Sequence, residues 1–316
     1  MRAYTEKIRE AARRLLSEKK VDVVIGFRKG TVPFMNEPFL VKNLDQVNQL
    51  TWDGNCGINL ANYLPKRTDR VAIVAKGCDS RNIVVHLLEN QIKREQVYIL
   101  GVPCKGMLDR RRIAAELKSK DARQVEETDG QVRITGRDLD VTLDRAAFLQ
   151  ENCSICIHRN PSLYDELMGD LVQEQQNVDR YADVRKVEAM SAEERWKYFE
   201  DLTAPCLRCY ACRNACPLCF CPQCFVDEAR PQWLGKTIDP KDTRTFHFLR
   251  AYHIAGRCTD CGACERACPV GIKVRQFNKK LEKDVLELYG YEAGLSMDER
   301  PPLDTFKPGD PEPFIK

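Results

Sequence analysis

The 316-residue sequence predicts an α/β domain followed by a mainly α-helical domain that is rich in cysteine. Two apolar, β-branched segments, VDVVIGF (21–27) and VAIVA (71–75), are typical of strands buried on both faces of a parallel sheet. The second domain is predicted from its cysteines, because eleven of the sixteen lie between residues 206 and 268. We expect four parts along the chain: an α/β domain (1–160), a helical linker (161–200), the cysteine-rich helical domain (201–288) and an extended tail (289–316).

Composition limits the classes of partner and compartment. The net charge of +3 is too close to zero to favour nucleic acid as a partner. No segment approaches the roughly 18 apolar residues of a membrane span, and the N-terminus lacks the apolar run of a signal peptide. We therefore expect a cytoplasmic chain that makes no direct membrane crossing. In a reducing compartment, sixteen cysteines indicate metal or redox chemistry rather than disulfides.

Helices and strands alternate in the predicted α/β domain. The first helix has one apolar face, made of Ile8, Ala12, Leu15 and Leu16. The strand at 71–75 leads into a helix that Asp79 or Ser80 would cap. The apolar stripe of that helix consists of Ile83, Val84, Leu87 and Leu88. A strand at 97–100 and the helix RRIAAEL follow, which completes a βαβ unit with a right-handed crossover.

Four cysteines of this domain are expected near one edge of the sheet. Cys78 and Cys104 each follow the carboxyl end of a predicted strand, and open α/β sheets bind ligands at that edge. Cys153 and Cys156 form a C-x2-C pair, which is compatible with zinc, a redox dithiol or half of a cubane. Together they supply four thiolates, the number that one [4Fe-4S] cluster requires.

The C-terminal cysteines form two runs of C-x2-C-x2-C-x3-C, each followed by proline. In bacterial ferredoxins with this spacing, the fourth cysteine of each run ligates the other cluster. We therefore assign cluster A to Cys206, Cys209, Cys212 and Cys268. Cluster B is assigned to Cys258, Cys261, Cys264 and Cys216. A zinc-stabilised binding module is the weaker alternative, because zinc prefers two C-x2-C pairs per site.

Roughly forty residues separate the two runs, and the apolar residues near 246–254 predict a helix that leads into the second run. This arrangement resembles the helical ferredoxin modules of succinate dehydrogenase and heterodisulfide reductase subunits. The resemblance implies a module that passes single electrons between a redox partner and a second acceptor.

Three cysteines and four histidines have no assigned role. Cys219, Cys221 and Cys224 form either a further metal site shared with a neighbouring subunit or reduced thiols packed as small apolar residues, and we favour the second interpretation. We interpret His86 as a core residue, while His158 either tunes a cluster or lies at the surface. No catalytic role is assigned to His247, His253 or any other side chain.

The linker and tail are interpreted from local patterns. Leu163, Leu167 and Leu171 would share one helical face, and Ser191 with Glu194 fits a capping box. The tail PPLDTFKPGDPEPFIK is rich in proline and charge and cannot form a core alone, so we expect it to lie extended on a partner.

Residues 45–170 resemble the beta subunits of coenzyme F420 (deazaflavin) hydrogenases and dehydrogenases. A strand ending in a G-x-P-C-like turn is matched by Lys76-Gly77-Cys78. A second strand ending in apolar-x-C-x-G is matched by Val102-Pro103-Cys104-Lys105-Gly106. A C-x2-C pair and an acidic segment ending in Gly-Asp are matched by Cys153, Cys156, Asp165, Gly169 and Asp170. The resemblance implies a third cubane on Cys78, Cys104, Cys153 and Cys156, beside a flavin, FAD.

The chain departs from this pattern in two places. Where the family often has a glycine-rich segment associated with the flavin, this chain has Asp53-Gly54-Asn55-Cys56-Gly57. The flavin candidates are therefore Gly54, Gly57 and Gly77, and Cys56 is an alternative thiolate for the third cubane. The ferredoxin module, usually N-terminal in the family, is C-terminal here, and the sequence contains no G-x-G-x-x-G.

These patterns predict an iron–sulfur electron-transfer subunit of a cytoplasmic, multi-subunit oxidoreductase of anaerobic metabolism. A hydrogenase, a formate dehydrogenase or a heterodisulfide-reductase-like assembly would fit. The alternative is a flavin-containing reductase subunit that exchanges hydride with a soluble carrier, such as a deazaflavin or NAD(P)H, and passes electrons to the clusters. The expected partners are other oxidoreductase subunits, ferredoxin or that carrier.

Overall fold

A computed structural model describes residues 2–118, 121–128 and 130–302. The chain forms two compact units. The first contains the residues up to 83 together with 90–178, and the second contains 84–89 together with the chain from 179 onward. Of the predicted tail, residues 303–316 lie outside the described residues.

The first unit is built on a five-stranded sheet that confirms the predicted parallel βαβ unit. Its central strands β1 (Val23–Lys29), β3 (Val71–Ala75) and β4 (Val97–Gly101) run parallel. Strand β2 (Asn36–Val41) pairs antiparallel with β1 at one edge. Every residue of β3 is buried, as expected for an apolar strand covered on both faces.

One helix packs on this sheet, and two others lie between or after its strands. The first, α1 (Arg2–Ser17), buries the predicted apolar face at Ile8, Ala12 and Leu15. Helix α2 (Gly77–Leu88) joins β3 to the segment before β4, and α3 (Arg110–Glu116) follows β4.

The start of α2 corrects the predicted cap. The helix begins at Gly77, so Asp79 and Ser80 lie within its first turn rather than before it. The carboxylate of Asp79 accepts the backbone N–H of Lys76 at 3.3 Å. This is the contact of a capping box, in which the third residue of the helix reaches back to the residue before it.

A second, antiparallel sheet in this unit was missed by sequence reasoning. It contains β5 (Ala122–Thr128), β6 (Gln131–Gly136) and β7 (Leu139–Asp144) in sequence order. Val132 and Ile134 alternate with exposed residues of β6 and pack on Ile113 of α3. That period-two alternation was the available signal.

The predicted helical linker is wrong for residues 161–181, all of which are described and none of which is helical. After the short α4 (Glu151–Ser154), the chain forms β8 (Glu166–Leu167), which extends the main sheet beside β4. The spacing of the leucines predicted a helix, but the main chain at 166–167 pairs with β4 instead. Leu171 is 60% exposed, so it does not form the buried face that such a helix would need.

The second unit is mainly helical. Helices α5 (Ala182–Glu188) and α6 (Ala192–Thr203) lead into the first cysteine run, and the capping box of Ser191 and Glu194 is confirmed. The remaining helices are α7 (Ala211–Asn214), α8 (Pro240–His253), α9 (Ala263–Ala267) and α10 (Arg275–Tyr289). In the described part of the chain, no helix combines the length and apolar composition that crossing a bilayer requires.

Candidate metal centres

The four cysteines assigned to cluster A line a single cavity in the second unit. They are Cys206, Cys209, Cys212 and Cys268. Much of the remaining wall is apolar or aromatic, including Leu207, Phe246, Val270 and Ile272. Cys268 comes from the second run, so the cavity joins the runs in a crossed arrangement. Four thiolates around one largely apolar cavity form the donor set that a cubane requires.

The two cysteine loops share one backbone conformation. The residues before and after the second cysteine of each loop have positive φ: 48° and 58° at Arg208 and Tyr210, 53° and 70° at Asp260 and Gly262. Left-handed residues turn the chain tightly and direct successive N–H groups inward. The N–H of Arg208 donates to Cys206 Sγ at 3.4 Å. The sequence repeat is therefore also a structural repeat.

His247 on α8 contacts a predicted ligand of cluster A. Its Nε2 lies 3.2 Å from Cys206 Sγ, and the residue is buried. Burial, together with the positive charges of Arg250 and Arg208, lowers the pKa of His247 to about 4. The ring is therefore neutral at neutral pH and able to donate one N–H to the sulfur. Sequence reasoning assigned this histidine no role.

The cysteines assigned to cluster B are also close together. Cys216 packs with Cys258 and Ile254 in one apolar core. Cys264 lies within electrostatic reach of Cys216 and Cys261. Burial, together with those two thiolates, raises the pKa of Cys264 to about 12. Iron must displace a proton from this thiol, because the thiolate is the ligand.

A buried charge network anchors the second loop to α10. The carboxylate of Asp260 accepts hydrogen bonds from Arg275 Nη1 at 3.1 Å and from Lys279 Nζ at 2.9 Å. Burial opposes ionisation of Asp260, but the two cations hold the pKa of this carboxyl below its usual range. These contacts fix the second loop to α10 at Asp260, which lies between Cys258 and Cys261.

The three remaining cysteines of this unit occupy different environments. Cys219 packs against the core that contains Cys216, and Cys224 packs beside Val226 and its apolar neighbours. Cys221 is exposed. Among the described residues, no three cysteine, histidine or carboxylate side chains are placed to hold a single metal ion.

In the first unit, the four predicted cysteines lie on neighbouring segments at the carboxyl ends of β3 and β4. Cys78 is in the first turn of α2, where the helix N-terminus favours a thiolate. Burial raises the pKa of Cys104 to about 12, and the thiolates of Cys153 and Cys156 lie within its electrostatic reach. The geometry therefore groups Cys104 with the C-x2-C pair.

Backbone contacts hold these segments close. The N–H of Cys104 donates to Arg159 O at 2.9 Å. A Cβ at Gly77 would lie 2.4 Å from His158 O and 3.0 Å from Asn160 O. Gly77, a flavin candidate from sequence, is thus a position where α2 meets the chain after Cys156 at a distance that excludes a side chain.

Lys76 is a buried cation beside these thiols, and the sequence analysis named it only as part of a turn, without a role. Its Nζ donates to Asp79 Oδ2 and to Ile58 O, both at 2.8 Å. Cys78 and Cys104 lie within electrostatic reach of the ammonium. Although burial opposes its charge, the negative groups around Lys76 raise its pKa overall. A lysine directly after a buried strand was the available signal.

Cys56, the alternative thiolate, is a buried and hydrogen-bonded thiol. Asn36 Nδ2 donates to its sulfur at 3.3 Å, and the N–H of Asp53 donates at 3.5 Å. Burial raises the pKa of Cys56 above its usual range, and the negative charge of Asp53 adds a smaller effect in the same direction.

A cleft of about 1050 Å³ opens elsewhere in the first unit. Its lining includes aromatic and cationic side chains, among them Phe34, Trp52, Lys29, Lys105 and Arg145. The volume is at the upper end for small-molecule sites, so the cleft has room for a cofactor as large as a dinucleotide. Asp53 and Asn55, on either side of Gly54, also line it.

Arg145 connects this cleft to the loop after Cys104. Its Nε donates to Glu127 at 2.8 Å, and its Nη1 donates to Lys105 O at 2.8 Å. Glu127 in turn accepts the N–H of Gly54 at 2.5 Å. That N–H is therefore already used within the protein.

Comparison with known proteins identifies the cysteine-rich region. Residues 203–272 match the 4Fe-4S dicluster domain family. The chain is 24% identical to the F420-dependent formate dehydrogenase subunit beta of Methanocaldococcus jannaschii, over 92% of this chain and 91% of that protein. It is 23% identical to the F420-dependent formate dehydrogenase 1 subunit beta of Methanococcus maripaludis, over 91% and 90%.

A solved chain also matches, from the xenon-derivatised F420-reducing [NiFe] hydrogenase complex of Methanosarcina barkeri. The TM-score is 0.39 at 14% identity, over 49% of this chain and 62% of that one.

The sequence matches span both halves of the chain and confirm the resemblance, which extends well beyond residues 45–170. The chain is therefore similar over nine-tenths of its length to beta subunits of F420-dependent formate dehydrogenases, and its residues 203–272 match the 4Fe-4S dicluster domain family.

Proposed function

We propose that the chain is an iron–sulfur electron-transfer subunit of a multi-subunit oxidoreductase and relays single electrons through [4Fe-4S] clusters. The observation that carries this proposal is the cavity shared by Cys206, Cys209, Cys212 and Cys268. The dicluster match and the similarity to formate dehydrogenase beta subunits support it. Other subunits of the same enzyme would be its partners.

We assign one cubane to each donor set, two in the second unit and one in the first. Each cubane, when bound, accepts one electron, and its potential depends on nearby charge, hydrogen bonds and exposure. Residues of this chain supply those influences. His247 reaches Cys206, and Lys76 lies close to Cys78 and Cys104. The third cluster, on Cys78, Cys104, Cys153 and Cys156, is part of this proposal.

The test is metal analysis of anaerobically purified protein with electron paramagnetic resonance after reduction. Three cubanes predict about twelve irons and as many labile sulfides per chain. Cys268→Ser should remove the cluster on the first cysteine loop, whereas Cys221→Ser, at an exposed cysteine, should change nothing. Stoichiometric zinc without labile sulfide would overturn the proposal.

A second candidate function is a flavin-containing reductase subunit that exchanges hydride with a soluble carrier. The cleft of about 1050 Å³ favours it, because Lys29, Lys105 and Arg123 offer positive charge to the phosphates of FAD. A flavin, when bound, interconverts hydride and single-electron transfer. The relatives are F420-dependent, so a deazaflavin is the first carrier to test.

Flavin release on denaturation tests this candidate. We expect about one FAD per fully metallated chain. Lys29→Glu, in the cleft, should lower the retained flavin several-fold, while Lys66→Glu, at an exposed lysine outside the cleft lining, should not. A flavin-free, fully metallated protein would exclude this function.

A further inference from the structure

Arg250 is a buried arginine on α8. The residue is 4% exposed. Its Nη2 donates to the carbonyl oxygen of Cys212 at 3.2 Å. Its Nε is buried and has no hydrogen-bond acceptor among the residues that the structure describes. A buried guanidinium normally has a carboxylate partner or a full set of acceptors. The Nε–H of Arg250 is therefore an unusual buried donor.

The groups that interact electrostatically with Arg250 are sulfurs from both predicted cluster sites. Cys212 belongs to cluster A, whereas Cys216 and Cys264 belong to cluster B, and all three lie within its electrostatic reach. Cys219, which packs beside Cys216, is the fourth. One cation therefore faces ligands of two clusters at once.

The local sequence explains how the arginine reaches this place. Helix α8 starts at a well-defined point, because Asp239 caps it and Pro240 occupies its first turn. His247 and Arg250, three residues apart, lie on one buried face of α8. His247 contacts Cys206 Sγ, and Arg250 binds the carbonyl of Cys212 within electrostatic reach of the other sulfurs. The segment between the cysteine runs thus supplies one polar contact and one positive charge to the region of the sulfur ligands.

We propose that Arg250 is a positioning residue whose charge is shared by clusters A and B and raises the reduction potentials of both. The inference rests on the proposed function, since it requires both clusters. Reduction adds one electron and one negative charge to a cluster. A fixed positive charge in a low-dielectric interior stabilises the reduced form more than the oxidised form. The Nε–H would donate to a cluster or ligand sulfur, which acts in the same direction.

Because a guanidinium does not lose its proton in a protein, this effect does not depend on pH. The alternative is a purely structural role, in which Arg250 fills space and holds the carbonyl of Cys212. A structural role would change stability or iron content without moving the potentials of loaded clusters. The midpoint potentials therefore separate the two.

The experiment is a redox titration of the full-length protein, followed by electron paramagnetic resonance, for three variants. Arg250→Gln should shift the midpoint potentials of both clusters to more negative values. We expect the equilibrium constant for reduction to fall tenfold or more, which corresponds to about 59 mV for one electron. Arg250→Lys, which keeps the charge, should recover most of that shift. Arg244→Gln, on the same helix but paired with Glu200 and stacked on Trp196, is the matched control and should move neither midpoint appreciably.

Each outcome is decisive. Loaded Arg250→Gln protein with unshifted midpoints, or with a shift in only one cluster, would overturn the inference. If that variant does not retain iron, Arg250→Lys decides: midpoints near those of the unaltered protein support a shared charge, and failure to load iron shows a structural role. Absence of cluster signals from the unaltered protein would instead contradict the proposed function.

Discussion

His86 lies in α2 with its ring fully buried, and its Nε2 is 2.8 Å from Pro217 O. A carbonyl oxygen only accepts, so Nε2 carries the proton and Nδ1 is left as an acceptor. Nδ1 is buried without a hydrogen-bond partner in the described part of the chain. Burial therefore lowers the pKa of His86 to about 4. The interpretation of His86 as a core residue is confirmed, although only one of its nitrogens is satisfied.

This histidine makes stability depend on pH. Its pKa is lower in the folded chain than in the unfolded chain, where it is about 6.5. The associated stability is fully present above pH 6.5 and is lost as the pH falls toward 4. Between pH 7.5 and 5.5 we expect a loss of about 1 kcal/mol from this residue.

Anaerobic thermal unfolding at the two pH values tests this prediction. His86→Gln keeps a donor for the carbonyl of Pro217 and does not titrate, so it should lose less stability on acidification. His253→Gln, at an exposed residue, should behave as the unaltered protein does. Equal losses in all three proteins would show that His86 contributes nothing.

Gly77→Ala tests the close packing near the proposed third cluster. The new Cβ would lie 2.4 Å from His158 O, a backbone atom that moves only with its whole segment. We expect displacement of the chain that carries Cys156 and loss of about four irons, one cubane, per chain. The signals of the dicluster domain should persist and serve as the internal reference. Full iron content in Gly77→Ala would contradict this account.

At the scale of elements, α1 shows an amphipathic pattern that the fold uses directly. Leu15 is fully buried, whereas its neighbour Leu16 is half-buried. The contrast follows from helical geometry, since adjacent residues point about 100° apart. The β5–β7 sheet shows a second case: its inward residues pack on α3, and the period-two alternation that places them there is present in the sequence.

The two leucines of α1 give a matched pair of variants. Leu15→Ala should cost about 2–5 kcal/mol of unfolding free energy, because a fully packed side chain is removed. Leu16→Ala should cost about 1 kcal/mol or less, since part of that side chain is already in water. Chemical denaturation followed by circular dichroism measures both. Equal costs would contradict the packing described for α1.

At the scale of the whole molecule, the boundary between the units does not follow the order of the chain. Helix α2 begins in the first unit, yet residues 84–89 belong to the second. Val85 is fully buried in a core with Cys216, Leu218 and Ile254. The second unit therefore depends on six residues that lie almost a hundred positions before the rest of it.

Two valine variants test this division. Val85→Ala should lower the temperature at which the visible iron–sulfur absorbance is lost, since it removes about 2 kcal/mol of packing beside Cys216. Val71→Ala, the same change in buried strand β3, should leave the bleaching of the dicluster domain nearly unchanged. An unshifted bleaching temperature in Val85→Ala would place residues 84–89 outside the second unit.

Local patterns in the sequence were sufficient for strand β3, the apolar face of α1, the capping box at Ser191 and the two cysteine repeats. These features depend on residues within about ten positions of one another, so spacing alone encodes them. Only the tertiary structure brings Arg250 to the sulfurs of both predicted clusters, places Lys76 beside Cys104 and pairs β8 with β4. Those contacts join residues that are distant in the chain, and the packing of whole elements decides them.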